Sequence, residues 1–176
     1  QILGAIPKTY LPNYREFQEA RWFAAARDLQ LAHVQIGRFQ VPIGHNVLFR
    51  SGKLTIGIEI CEDMWTPYTP GTRLALYGAQ IIFNLSASNE LAGKNTYLRS
   101  LISGLSSQNL CGYVYASAGY GESSTDTVFT GKGFIAEVGK LLVETPRFTY
   151  EERLIISDID VMRIDNDRLT TNSFND

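Results

Sequence analysis

Lys53-Leu54-Thr55-Ile56-Gly57-Ile58-Glu59-Ile60 runs straight into Cys61-Glu62-Asp63-Met64-Trp65, and this stretch decides the fold. Its first eight residues are largely apolar and β-branched, the pattern of a strand buried within a sheet. The run stops at a thiol followed by two carboxylates. Next, Arg73–Ala79 reads as a short helix and Gln80–Leu85 (QIIFNL) as a second buried strand. Gly93–Leu110 places Tyr97, Leu101, Leu105 and Leu110 at roughly helical spacing, and Gly112–Ala116 (GYVYA) returns to strand. Strands alternating with helices predict an α/β layered architecture, with helices over a mixed sheet.

Upstream, Gln1–Ile6 looks like the middle of a strand, which is expected of a chain whose N-terminal part lies outside this sequence. Thr9–Tyr14 is a proline-bearing loop, and Glu16–Asp28 has helical composition. Short strands are expected around Val34–Ile36, Phe39–Val41 and Val47–Phe49, punctuated by Gly37, Pro42 and Gly44. After Thr127 come three strand runs, Val128–Glu137, Lys140–Glu144 and Arg153–Asp160, and Val161–Leu169 closes with a helical turn or two. That strand cluster fits a layered sandwich better than an open doubly wound sheet. No repeat, low-complexity tract or Pro/Ser-rich linker divides the chain, so 1–176 reads as one domain.

Hydrophobic residues make up 44% of the 176 and charged residues 19%, the balance of a chain that buries a core. A net charge of −2 with interspersed signs offers no basic face for nucleic acid or anionic lipid. No apolar run reaches the length of a membrane span, and two cysteines, Cys61 and Cys111, make no disulfide framework. The chain therefore reads as cytoplasmic, with small molecules as its partners.

Active groups in layered α/β folds sit where strands end, and Cys61 occupies such an end. A thiol attacks as its thiolate, and an unperturbed pKa of about 8.5 needs a cation or a base to help it. Glu62 and Asp63 oppose that ionisation unless they pair elsewhere. The bland reading of a strand-end cysteine is a small buried hydrophobe, and Cys111, among apolar neighbours, is read that way. His33 and His45 carry no orienting signature for a Cys–His pair. Zinc would need more Cys and His at ligand spacing, and Gly131-Lys132-Gly133 is too short for a phosphate loop. No metal site is expected.

Pro7-Lys8-Thr9-Tyr10-Leu11-Pro12-Asn13-Tyr14-Arg15-Glu16-Phe17, taken with Gly57–Trp65, resembles the nitrilase (carbon–nitrogen hydrolase) superfamily. More narrowly, it is similar to the glutamine amidotransferase domains of glutamine-dependent NAD+ synthetases. The likeness continues through Asn84-Leu85-Ser86-Ala87-Ser88 with Glu90, Gly93 and Lys94, then Tyr113–Ser117, then Gly119–Ser123 with Asp126. The resemblance implies a nitrilase-like α-β-β-α layered sandwich, here with its N-terminal part missing.

The family works with a glutamate, a lysine and a cysteine. The resemblance makes Cys61 the nucleophile and Lys8 the cation that steadies thiolate and oxyanion, a role that suits an ammonium beside developing negative charge. Glu16, eight residues after Lys8, matches a second glutamate expected to position the lysine or the substrate; a helix-start carboxylate is its rival reading. Tyr14, Glu62, Trp65 and Ser88 match positions that shape the glutamine pocket, with Ser88 and Tyr14 as hydrogen-bonding groups and Trp65 as an apolar wall. The general-base glutamate is expected upstream of Gln1. The implied activity is release of ammonia from glutamine through a Cys61 thioester, for amidation of deamido-NAD by a synthetase domain outside this chain. No cofactor is expected for that step, ATP and Mg2+ belonging to the synthetase domain, and this chain alone is expected to be inactive. Homo-oligomers are usual in the superfamily. A free-standing nitrilase-type amidase and a non-catalytic nitrilase-like scaffold are the competing readings.

Overall fold

A computed structural model describes residues 1–122 and 127–175, so Ser123 and Asp126 of the resemblance lie outside the described residues. Eight strands and four α-helices are found there. β1 (His33–Ile36) and β2 (Phe39–Pro42) make a hairpin across a turn at Gly37, whose φ of 59° suits a residue without a Cβ. The other six form one mixed sheet, in sequence order from edge to edge: β3 (Phe49–Ser51), β4 (Leu54–Ile60), β5 (Ile81–Ser86), β6 (Gly112–Ser117), β7 (Gly133–Glu137) and β8 (Lys140–Glu144). β4, β5 and β6 run parallel, and the flanking pairs are antiparallel.

The parallel pairs need crossovers, which α1 (Pro70–Leu76) and α2 (Lys94–Gln108) supply. α1 starts at a Thr69 cap, whose hydroxyl accepts from the Thr72 N–H at 2.9 Å, with Pro70 in the first turn. Both helices cover the same sheet face. Leu74 of α1, Leu98 and Ile102 of α2, and Ile82, Tyr113, Tyr115 and Phe134 of the sheet form the core with Met64. α3 (Val161–Thr170) and the short α4 (Asn172–Asn175) close the chain at the starting ends of β5 and β6, where Arg168 donates to the Ala79, Asn109 and Leu110 carbonyls. This is the nitrilase-like α/β fold expected from the sequence. The described residues build one helix layer on one six-stranded sheet, with the hairpin beside them.

Several local expectations are corrected. Gln1–Ile6 forms no strand: Ala5 makes a single parallel bridge to Ile43. Glu16–Asp28 is not an α-helix but two 3-10 turns, Glu19–Arg21 and Ala26–Asp28. Its backbone is claimed from outside, since the Glu19 N–H donates to Pro12 O and the Ala26 N–H to Lys8 O, and Trp22 is left 74% exposed. Tertiary pairing has overridden a helical composition. β3 begins at Phe49 rather than Val47, and the first crossover helix starts at Pro70, three residues earlier than read, because its cap is Thr69. Arg153–Asp160 alternates, with Ile155, Ser157 and Ile159 turned in and Leu154 and Ile156 out at 85% and 79% exposure. It is nevertheless not a strand among the described residues. It packs by side chains, Ile159 against Gly112 and Ile155 against Gly133, instead of joining a ladder.

Candidate active site

Cys61 is the residue at which β4 ends and a 3-10 turn, Cys61–Trp65, begins. Its φ of 48° is in the left-handed region, which costs an L-residue energy and persists only where the surroundings hold it. One holding group is Asp63, 1% exposed. Its carboxylate accepts from the Ile60 N–H at 3.0 Å within the turn. It also accepts from the N–H groups of Thr9 at 3.1 Å and Tyr10 at 2.8 Å. One buried carboxylate thus ties the Lys8 loop to the Cys61 turn across more than fifty residues of sequence. Burial pushes the Asp63 pKa up against these three donors.

Lys8 and Cys61 line one cleft of about 720 Å³, together with Glu19, Ser86, Ser117 and Gly119. The Lys8 ammonium is held by Glu19, at 2.7 and 2.5 Å from the two carboxylate oxygens. Glu16, expected to position the lysine or the substrate, does not reach the lysine. Glu16 instead accepts from the Asn89 amide, whose oxygen takes a 2.8 Å hydrogen bond from Lys94. The correction follows from the fold: without an α-helix over Glu16–Asp28, the two glutamates point to different cavities. Glu19 left no mark in the sequence, because its partner is eleven residues away across a loop.

A second cavity of about 540 Å³ opens on the other side of Cys61. Tyr14, Glu16, Glu62, Trp65 and Ser88 line it, with Asn89, Lys94 and Tyr97. Tyr14 donates to Glu62 at 2.8 Å, and its own pKa is raised to about 12 by burial and by that carboxylate. Trp65 packs on Tyr97 with ring centroids 5.6 Å apart, and the Lys94 ammonium lies 5.3 Å from the Trp65 centroid. Burial lowers the Lys94 pKa. The two carboxylates that follow Cys61 are therefore both engaged away from it, Glu62 on Tyr14 and Asp63 on backbone N–H groups. The structure brings Cys61, Lys8, Tyr14, Glu62, Trp65 and Ser88 around one place, with the thiol standing between two cavities. Among the described residues, no cluster of three or more His, Cys, Asp or Glu is arranged to hold a metal ion.

A model of the carbon-nitrogen hydrolase family matches residues 8–168. The chain is 40% identical over 178 residues to the glutamine-dependent NAD(+) synthetase of Mycobacterium leprae, a match covering 99% of this chain and 26% of that protein. With the human glutamine-dependent NAD(+) synthetase it is 29% identical over 162 residues, 86% of this chain and 22% of the other. The chain thus spans about a quarter of the length of the curated relatives it matches. Among solved structures, the glutamine-dependent NAD(+) synthetase of Cytophaga hutchinsonii superposes with a TM-score of 0.71 at 29% identity, over 83% of this chain and 23% of that one. A carbon-nitrogen hydrolase from Helicobacter pylori shares the fold, with a TM-score of 0.71 at 18% identity over 96% of this chain and 56% of its own.

Proposed function

The chain belongs to the carbon-nitrogen hydrolase family, and from that premise we propose that it is the glutaminase part of a glutamine-dependent NAD+ synthetase, with Cys61 as nucleophile. The observation that carries this reading is the placement of Cys61 at a strained strand end, clamped by Asp63 to the loop bearing Lys8.

Glutamine enters the cavity of Tyr14, Glu62, Trp65 and Ser88. Glu62, steadied by Tyr14, offers a carboxylate to the substrate's α-ammonium, Ser88 a polar contact, and Trp65 an apolar wall for the methylenes. The side-chain carboxamide is thereby presented to Cys61. The thiolate attacks the amide carbon, and the carbonyl oxygen gains negative charge that the Lys8 ammonium stabilises. The C–N bond breaks, the nitrogen takes a proton and leaves as ammonia, and Cys61 carries a γ-glutamyl thioester. Water then adds to that thioester, releasing glutamate and the thiol. In this reading the proton-carrying glutamate is supplied by a segment of the longer protein, and no described residue is assigned that part. Glu19 keeps the Lys8 ammonium in the cleft.

The ammonia goes to an ATP-dependent amidation of deamido-NAD on a synthetase domain of the longer protein, where ATP and Mg2+ act. A homo-oligomer and a cytoplasmic setting accompany this reading. No helix among the described residues is long and apolar enough to cross a membrane. Incubating a longer protein, extended upstream to include the base glutamate, with glutamine and trapping the thioester for mass spectrometry tests the proposal. A γ-glutamyl adduct on Cys61, lost together with ammonia release in Cys61→Ala, supports it; undiminished ammonia release by Cys61→Ala overturns it.

A further inference from the structure

Glu59 lies on β4 two residues before Cys61, 1% exposed and facing the helices. Three donors converge on its carboxylate. The Gly71 N–H of α1 is 2.6 Å from Oε2, the Tyr113 hydroxyl of β6 donates to Oε1, and Asn84 Nδ2 of β5 lies 3.5 Å from Oε1. The same Nδ2 is 3.4 Å from the Cys61 carbonyl oxygen, so the Asn84 amide is shared between the carboxylate and the nucleophile's own backbone. Asn84 is fully buried and oriented from its far side by Ser86, whose hydroxyl donates to Oδ1 at 2.7 Å. A chain of contacts thus runs from Glu59 to a residue whose φ of 48° needs an external hold.

A carboxylate met only by donors is arranged for its ionised form. Burial works the other way and lifts the Glu59 pKa to about 7. The titratable groups around it are Tyr113 on β6, whose phenol burial holds neutral well above its usual range, Asp63 in the turn, and Cys111 just ahead of β6, whose thiol burial pushes up to about 12. α1 contributes a backbone N–H and no charge to the contact.

We propose that Glu59 is a positioning residue for the nucleophile, holding the Cys61 turn through Asn84 only while its carboxyl is ionised. The proposal rests on the reading of Cys61 as nucleophile. A proton taken from solvent would occupy an oxygen at which donors already converge. Of these donors only the Tyr113 hydroxyl has a lone pair with which to accept, so the bonding around Glu59 must rearrange. The shared Asn84 amide, whose two contacts are the longest in the network, is the one released.

The test is the rate of Cys61 alkylation by iodoacetamide between pH 5 and 9, read by peptide mass spectrometry so that Cys111 does not contribute. The expected profile carries an inflection near pH 7 in addition to the thiol's own rise. Glu59→Gln removes that inflection and lowers the rate at pH 8 several-fold. Tyr113→Phe removes a donor to the ionised form and keeps the carboxyl, so it moves the inflection to higher pH. An inflection unchanged in Glu59→Gln overturns the proposal; should that variant fail to fold, an unmoved inflection in Tyr113→Phe does so. Alkylation needs no substrate. An inflection that behaves as stated, in a longer protein that includes the upstream glutamate yet hydrolyses no glutamine, therefore sinks the glutaminase reading and leaves this one standing.

Discussion

Asp63 shows how much a single side chain settles at this site. The carboxylate accepts from three backbone N–H groups, two on the Lys8 loop and one on the Cys61 turn. Each of its two oxygens has a donor aimed at it: Tyr10 and Thr9 at one, Ile60 at the other. Asp63→Asn keeps the size and one acceptor but turns an NH2 toward an N–H, leaving a buried donor unsatisfied in either amide orientation. Such a loss costs about 1–3 kcal/mol. The same change frees the Lys8 loop from the nucleophile's turn. The expected outcome is an unfolding free energy in urea lowered by that amount, and a kcat for glutamine hydrolysis reduced more than KM is changed, because Lys8 acts on the oxyanion while the amino-acid end is read elsewhere. Equal kcat in the variant and the parent would show that the clamp does not position Lys8.

At the scale of elements, α1 is set against β4 by two glycines. A Cβ on Gly57 would lie 3.0 Å from Leu74 and from Ile82, and one on Gly71 only 2.8 Å from the Glu59 carboxylate. A helical Gly→Ala change ordinarily gains up to about 1 kcal/mol. Gly71→Ala has the opposite sign here, since the added methyl must displace the buried Glu59 carboxylate from its Tyr113 and Asn84 donors and disturb the Gly71–Glu59 bond. Overpacking of this kind costs about 1–3 kcal/mol, and thermal unfolding of Gly71→Ala against the parent checks it. This close approach was hidden in the sequence, where Gly71 lies ahead of the helix read over Arg73–Ala79. By contrast, the strand from Leu54 to Ile60, the strands near Ile81 and Gly112, and the Lys94–Gln108 helix were legible, because burial on a sheet or against it writes periodic apolar runs. Glu16–Asp28 and Arg153–Asp160 misled for a shared reason. Their composition and alternation describe which side chains turn inward, while their backbone partners are chosen by distant segments. At the site, Cys61, Lys8 and the Tyr14–Glu62 pair stood in recognisable motifs. Glu19, Asp63 as a clamp, and the Glu59–Asn84 relay exist only once separate elements meet.

For the molecule as a whole, Glu59 contributes directly to the pH dependence of stability between mild acid and neutrality. The Cys111 thiol, pushed up to about 12, and the Tyr113 phenol, held well above its usual value, fall outside that window, while Asp63, raised by burial, and His45, lowered from 6.5 by burial and by Arg73, are common to the parent and a Glu59 variant and cancel in the comparison between them. Glu59 starts at 4.5 and is raised to about 7 by burial. The folded protein therefore keeps this proton over a range in which the unfolded chain has released it. The folded state binds more protons, and stability falls as pH rises through the window, levelling off above the folded value. Each pH unit between the two values is worth about 1.4 kcal/mol, so Glu59 withdraws roughly 3 kcal/mol between mild acid and pH 8. Glu59→Gln has no proton to lose there. Its urea-unfolding free energy, measured at pH 5 and pH 8 beside the parent, is expected to change less, with the difference between the two proteins moving in the variant's favour by about that amount. Parallel curves would mean that the Glu59 carboxyl does not titrate within the window, and the nucleophile's turn would then be held alike at both pH values.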